Sequence, residues 1–490
     1  MRRYSFLLAT ILAFCVSTVA VGQSLCVEYP SVTYVHNAKN TKDMVFSNAS
    51  TVTIEGMSHR IADINSITFS NGTMADSTVT VAYNGTSAQV TVSGCIARYL
   101  TVTVNGAHVK IIQSEELQST VNYTLSGTSS NGSFYMDGHF KAGFTLDNLT
   151  LNNPDSAAIN IQDGKKLYIT LVGTSTLTDK TGGTHNACMY LDGHPEFIGT
   201  GTLNVKGNSK HGISADEHLI MTSGTVNVLS AVGDGFHISE YFTIDGGNVN
   251  ITSAGDGIDV SFKGVNKGTK DEYSKNGMVF INGGTLNINT SGLATKGLKC
   301  DSVLTVAGGT TTITTTGNAY YDTVEKDISA SAAMKCGGKF IMTAGNVTLI
   351  ATGDGGKGIN ADEEVNISGG TLTVATTGDI FEYGTSDTKA HGVKSDTDVI
   401  IAGGNVYVFA SKEDGVALKA AKTGIINIKG GKMILAGGKT SDITPTQTCK
   451  KYTKQKLTAG SSITYDGITV TVPSVYSNSS AIVQVSSPNL

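Results

Sequence analysis

Lys299, Lys335 and Lys394 each stand two residues after a small residue followed by a hydrophobe, and Asp301 and Asp396 follow two residues later. Cations repeated at a fixed step suit an extended anionic polymer. Interleaved with aspartates, they equally make a solvated face whose charges keep strands from aggregating. A second group is acidic. Asp234 and Asp256 directly precede repeat glycines, with Glu240 and Asp259 nearby. Carboxylates with turn carbonyls supply the six to eight oxygens that calcium takes. The plain alternative is that aspartates at Asp-Gly corners bond their own turns. A third group is aromatic: Tyr320 and Tyr321 in the insertion 318–331, Phe381 and Tyr383 in 379–389, and Tyr273 in 262–276. Aromatic faces with polar neighbours stack on sugars. They also fold back over their own loops.

These groups are positioned by an internal repeat. Its small-plus-hydrophobe marker occurs at Gly212-Ile213, Gly235-Phe236, Gly257-Ile258, Gly297-Leu298, Ala333-Met334, Gly358-Ile359, Gly392-Val393 and Gly415-Val416. A second marker, a small residue plus glycine, runs from Ser223-Gly224 to Gly430-Gly431. The base period is about 22–25 residues, and longer intervals hold insertions. Hydrophobes alternate on both sides of the glycine pair, as in Leu219/Met221 and Val226/Val228. Period-2 alternation means strands with one buried face. Three short strands per unit, with glycines supplying positive φ at the corners, predict an all-β right-handed parallel β-helix. A leucine-rich repeat needs a Leu/Asn signature that is absent, and propeller blades are about 40 residues long.

Stacking turns columns into rows. The outward column two residues past the marker reads Ser214, His237, Asp259, Lys299, Lys335, Asn360, Lys394, Ala417. Cys300 and Cys336 share an inward column and are expected as a buried thiol stack, since parallel ladders rarely bring Cβ atoms close enough for a disulfide. The histidines show no HExxH spacing, and there is no nucleophile elbow or phosphate loop.

Residues 1–22 carry Arg2, Arg3 and an apolar stretch from Phe6 to Val21, which reads as a signal peptide cleaved near Gly22. A secreted or cell-surface protein with no transmembrane span is expected. Residues 23–118 are expected as a β-rich cap, 119–440 as the β-helix and 441–490 as a second cap, because an open β-helix end is an unpaired edge. With 58 Gly, no Trp and a net charge of −5, nothing favours nucleic-acid binding. A monomer is expected.

Tyr123-Thr-Leu-Ser-Gly127 through Leu177-Thr-Asp179, Gly199-Thr-Gly201-Thr-Leu-Asn-Val205 and the repeated Asp-Gly-Ile and Gly-Gly-Thr-Leu blocks resemble bacterial cell-surface carbohydrate-binding-domain proteins. The resemblance spans roughly 60 to 440. It implies a pectate-lyase-like β-helix that binds acidic polysaccharide and calcium. Three functions are therefore weighed. The first is a non-catalytic binder of pectin-like glycans, calcium-assisted. The second is a calcium-dependent polysaccharide lyase with Lys299 as base. The third is an adhesin or spacer. The mature chain's only arginines, Arg60 and Arg98, lie in the expected cap, which favours binding over catalysis.

Overall fold

The computed structural model describes residues 23–41, 44–262, 264 and 274–490. The signal peptide expected over 1–22 and the insertion residue Tyr273 lie outside these. The described chain is all-β apart from single turns of helix at 48–50, 61–63 and 94–97. From Thr225 to Phe409, the two inserted hairpins aside, each strand pairs in parallel with the third strand before and after it. Three ladders result. The first runs from His211–Ala215 to Leu418–Lys419, the second from Leu219–Met221 to Thr444–Pro445, and the third from Thr202–Gly207 to Lys432–Gly437. Earlier strands continue them: Ala107–Gln113 already pairs in parallel with Gly132–Asp137, and Val121–Ser129 with Ala142–Asn153.

Alternation positions the core. In Leu219–Met221, Phe242–Ile244 and Val365–Ile367 the first and third residues are buried and the middle one faces out. One hydrophobic cluster extends from Leu25 to Leu435, and each fully buried aliphatic side chain contributes about 1.5–3 kcal/mol. Outward on the third ladder, asparagines bond from strand to strand: Asn227 donates to Asn204 at 2.9 Å, Asn250 to Asn227 at 2.8 Å and Asn287 to Asn250 at 2.8 Å. Cys300 and Cys336 are in register, buried and free. Antiparallel strands lie at both ends. Ser24–Glu28 pairs with Val32–Asn37, and Asn478–Ser486 lies against Lys432–Gly437.

Two expectations need correction. The last strand of the first ladder enters later than the Gly415-Val416 marker implies. Leu418 pairs with Val393 and Lys419 with Lys394, so Lys419, not Ala417, ends the outward column. The two glycine columns also serve different purposes. Positive φ belongs to the second glycine of the pair, from Gly224 (83°) through Gly309 (70°) to Gly431 (88°). The marker glycines Gly212, Gly235, Gly257, Gly297, Gly358 and Gly392 have no positive φ. A Cβ on any of them would overlap a β-branched side chain of the third ladder: Val228, Ile251, Ile288, Ile313, Val374 and Val408 respectively. Where the column carries alanine the facing residue is leucine: Ala333 lies on the coil of Leu349, in register with Ile313 and Val374, and Ala417, opposite Gly392, on the coil of Leu435, in register with Val408. Leucine carries its branch one carbon farther out and leaves room for a methyl.

This pairing generates a prediction. Gly297→Ala should destabilise the protein by about 1–3 kcal/mol through overpacking, and adding Ile313→Leu should restore much of that loss. Chemical denaturation of the two single variants and the double variant measures the coupling. Additive losses would refute Ile313 as the source of the clash and leave it to the carbonyl oxygen of Ala333, 2.7 Å from the added Cβ.

Candidate functional site

The outward row of the first ladder is longer than the repeat alone suggests. It begins with Lys110, Tyr135, Asn160 and Tyr190, which are paired in sequence. It continues through Ser214, His237, Asp259, Lys299, Lys335, Asn360 and Lys394 to Lys419. Lys299 and Lys335 stand directly side by side, a repulsive arrangement for like charges. Each expected lysine has its own carboxylate. Lys299 Nζ is 2.9 Å from Asp259 Oδ1, Lys335 pairs with Asp362 on the following coil, and Lys394 pairs with Asp396. Asp301 instead accepts the backbone N–H of Phe262 at 2.9 Å. Burial works against the charge of Lys299, but Asp259 outweighs it and raises the pKa above the ordinary lysine value. That amine is held protonated and is poorly suited to abstract a proton.

The two aromatic insertions are β-hairpins, Tyr320–Asp322 with Asp327–Ser329 and Phe381–Tyr383 with Ser386–Thr388. They meet: the rings of Tyr321 and Tyr383 stack with centroids 4.0 Å apart and planes 12° from parallel. Tyr320 and Tyr383 remain about half exposed, at 45% and 51%, while Phe381 is partly covered. Each hairpin is held beside the first ladder by a lysine. Lys296 Nζ donates to Ala294 O at 2.6 Å and Ser329 Oγ at 3.1 Å. Lys357 Nζ donates to Gly355 O at 3.0 Å and Thr388 Oγ1 at 2.7 Å. Lys296, Ala332 and Lys357 occupy one register column.

The four acidic candidates do not assemble as an all-oxygen calcium site. Asp256 Oδ1 accepts the N–H of Lys296 at 2.7 Å, and Asp234 Oδ1 accepts the N–H of Asp256 at 2.9 Å. Aspartates at these corners bond the backbone of the next coil. Glu240 faces His218, Oε2 to Nδ1 3.5 Å. Between Asp234 and Asp259 stands His237, whose Nδ1 is 3.2 Å from one carboxylate and 3.5 Å from the other. Hydrogen bonds donated to Asp234 and then Asp259 raise the His237 pKa to about 9. Burial would raise the pKa of Asp234, but His211 and His237 reverse this and lower it. Burial pushes Asp256 up to about 6, against its bond from the Lys296 backbone.

Sequence reasoning missed three features. Lys296 and Lys357 precede the marker glycine where three other repeats have Asp (Asp234, Asp256 and Asp414), a signal visible in the sequence. His211 has no metal-type spacing in sequence and joins His237 only through stacking. Asp163 is 8% exposed, and neither carboxylate oxygen has a hydrogen-bond partner. It lines a pocket of about 280 Å³ with Tyr135, Asp137, Gln162 and Asp192. Asp137, Gln162 and Asp192 are neighbours in register, and the strand bulges just after Gln162.

Lys357 supplies the next prediction. Burial lowers its pKa from 10.5 to about 7. Between those values the unfolded chain holds a proton that the folded chain has lost, so stability rises with pH through this window and the penalty is full below it. Lys357→Met should therefore be more stable than wild type at pH 7, by on the order of 1–3 kcal/mol after its two hydrogen bonds are lost. The gap should close as pH approaches 10. A pH-independent difference in denaturation midpoints would contradict this.

The comparisons with known proteins bear on this geometry. A solved structure titled as the polysaccharide lyase-like protein from C. thermocellum, in a gadolinium derivative, is similar at 23% identity. It covers 54% of this chain and 96% of its own, with a TM-score of 0.43, too low to carry a structural argument. No curated protein matches. The family model described as "Carbohydrate-binding domain-containing protein" matches residues 105–380, more than half of the 490 residues. The match begins two residues before the first strand of the first ladder and takes in the lysine pairs Lys299–Asp259 and Lys335–Asp362. The chain belongs to this family of carbohydrate-binding domain-containing proteins.

Proposed function

We propose that this is an exported, non-catalytic polysaccharide-binding protein, a right-handed parallel β-helix with three strands per turn that recognises acidic, pectin-like glycans. The observation that carries the reading is the outward row of the first ladder, bordered by the stacked hairpins. Cations, amides and tyrosines recur there at the strand spacing of about 4.8 Å, close to the step of an extended sugar chain. Tyr320 and Tyr383 offer exposed rings beside it. Asp362 and Asp396, the partners of Lys335 and Lys394, are exposed, so those ion pairs are screened and worth little, and a uronate can exchange for either aspartate at small cost; Asp259 is buried and keeps Lys299 paired. Residues 23–118 and 441–490 act as caps.

A lyase requires a neutral base over the sugar. Lys299 is held charged by Asp259. Lys357 titrates near 7 but is only 3% exposed, with its amine bonded to Gly355 and Thr388. These placements support binding over catalysis.

Calcium assistance rests on Asp163 rather than on Asp234, Asp256 and Asp259. A buried carboxylate with both oxygens unpartnered needs a proton or a cation. Burial raises its pKa to about 7, with Asp192 and Asp137 adding to the shift against Lys165. Asp163 would supply the direct ligand, with Asp137 and Asp192 lining the same pocket and reaching the ion through water, as calcium allows. Bound there, calcium would neutralise the acidic group and tie neighbouring coils together.

The test is retention on immobilised polygalacturonate. Lys299→Ala, Lys335→Ala and Lys394→Ala combined, and separately Tyr383→Ala, should weaken retention with little change in melting temperature. Calcium should raise the melting temperature of wild type but not of Asp163→Asn. Prolonged incubation with substrate should give no unsaturated, ultraviolet-absorbing product. Retention unchanged in both variants would remove this face from the account, and product lost on Lys299→Ala would make the protein a lyase.

A further inference from the structure

At the start of the first ladder, one imidazole nitrogen meets two groups of the next coil. His211 Nδ1 accepts the backbone N–H of Asp234 at 3.1 Å. The same nitrogen lies 3.2 Å from Asp234 Oδ2. One hydrogen cannot serve both contacts, whereas a cation placed between the nitrogen and the carboxylate oxygen would satisfy the two together. Both groups are largely buried, with side-chain exposures of 4% and 17%.

A second imidazole completes the arrangement. The ring of His237, one coil on, stacks on that of His211 with centroids 4.5 Å apart and planes 17° from parallel. Its Nδ1 reaches the same Asp234 Oδ2 at 3.2 Å and Asp259 Oδ2 at 3.5 Å. Among the described residues, His211, Asp234 and His237 are the set of three such side chains whose donor atoms lie within 4.8 Å of one another.

We propose that His211, Asp234 and His237 bind one divalent metal ion of the zinc class. A tetrahedral ion with bonds of 2.0–2.2 Å holds its ligands about 3.3–3.5 Å apart, close to the 3.2 Å from Asp234 Oδ2 to each imidazole nitrogen. The carboxylate is oriented for it. Asp234 Oδ1 is occupied by the N–H of Asp256 at 2.9 Å. That leaves Oδ2 for the ion, and such outer partners fix ligand geometry. Two imidazoles and one monodentate carboxylate suit zinc and disfavour calcium, which takes oxygen ligands in larger number. Binding displaces one hydrogen bond, the Asp234 N–H to His211. Three protein ligands leave the fourth position to water. The ion joins two successive coils, 211–215 and 234–238, at one corner.

The test uses the full mature protein stripped by a chelator and dialysed. Calorimetric titration with Zn²⁺ should show one equivalent bound, a raised melting temperature, and no competition from Ca²⁺. Co²⁺ at the same site should give the intense visible absorption of a tetrahedral complex. His237→Gln, at a partly exposed position, should lose that equivalent and the absorption while keeping the wild-type circular dichroism spectrum. Asp163→Asn should keep both. Absence of Zn²⁺ uptake by wild type, uptake unchanged in His237→Gln, or displacement by Ca²⁺ at equal concentration would each overturn the proposal. No readout involves sugar, so failure of polysaccharide binding leaves this result intact.

Discussion

Parallel pairing in register is the constraint on which everything else in the molecule depends. It places the same column of the repeat at the same point on every coil, one strand spacing from its copies. Any property of one residue is therefore repeated against itself. A methyl at the marker position would be driven into the third ladder on coil after coil. The column answers with glycine wherever the facing residue is β-branched, and with Ala333 where that residue is Leu349. The asparagines on the third ladder turn the same repetition to advantage, because an amide donates upward and accepts from below in an unbroken series.

Charge is where repetition is most costly, and the first ladder shows how the cost is limited. Adjacent lysines at 299 and 335 are each neutralised by a different carboxylate, taken from the preceding coil in one case and the following coil in the other. The consequence reaches function. Paired with Asp259, Lys299 is held protonated, which works against proton abstraction. Lys296 and Lys357 solve the problem differently. They point to the corner, satisfy their amines on backbone and hydroxyl oxygens, and so root the two hairpins whose tyrosines stack.

The acidic corners follow the same logic. Asp234 and Asp256 each spend one oxygen on the backbone of the next coil, a structural use of the Asp-Gly turn. What remains after that use differs by coil. On the coil of Asp234 the second oxygen meets two stacked imidazoles. Asp163, beside a bulge, has no such partner and lines a pocket with two further carboxylates. One residue type thus stands in two chemically different surroundings, set by what the neighbouring coils place opposite.

Much of this was legible in the amino-acid order. Alternation of hydrophobes and the recurrence of the glycine pair are local and periodic, so they specify strand type, inward and outward faces, the shared column of Cys300 and Cys336, and the row through Lys299, Lys335 and Lys394. The tertiary structure decided the rest. Which glycine takes positive φ depends on the path of the corner, and which one needs an empty Cβ position depends on a side chain 16 or more residues away. The shift that substitutes Lys419 for Ala417 comes from the length of one corner, which no pattern of alternation encodes. The partners of Asp234, Asp256, Glu240 and Asp301 are chosen by rotamers meeting across coils. The stacking of Tyr321 on Tyr383 and of His211 on His237 arises because insertions and coils far apart in sequence are brought together by the ladder. Columns can be read from a repeat, but contacts between columns require the closed cross-section that only packing creates.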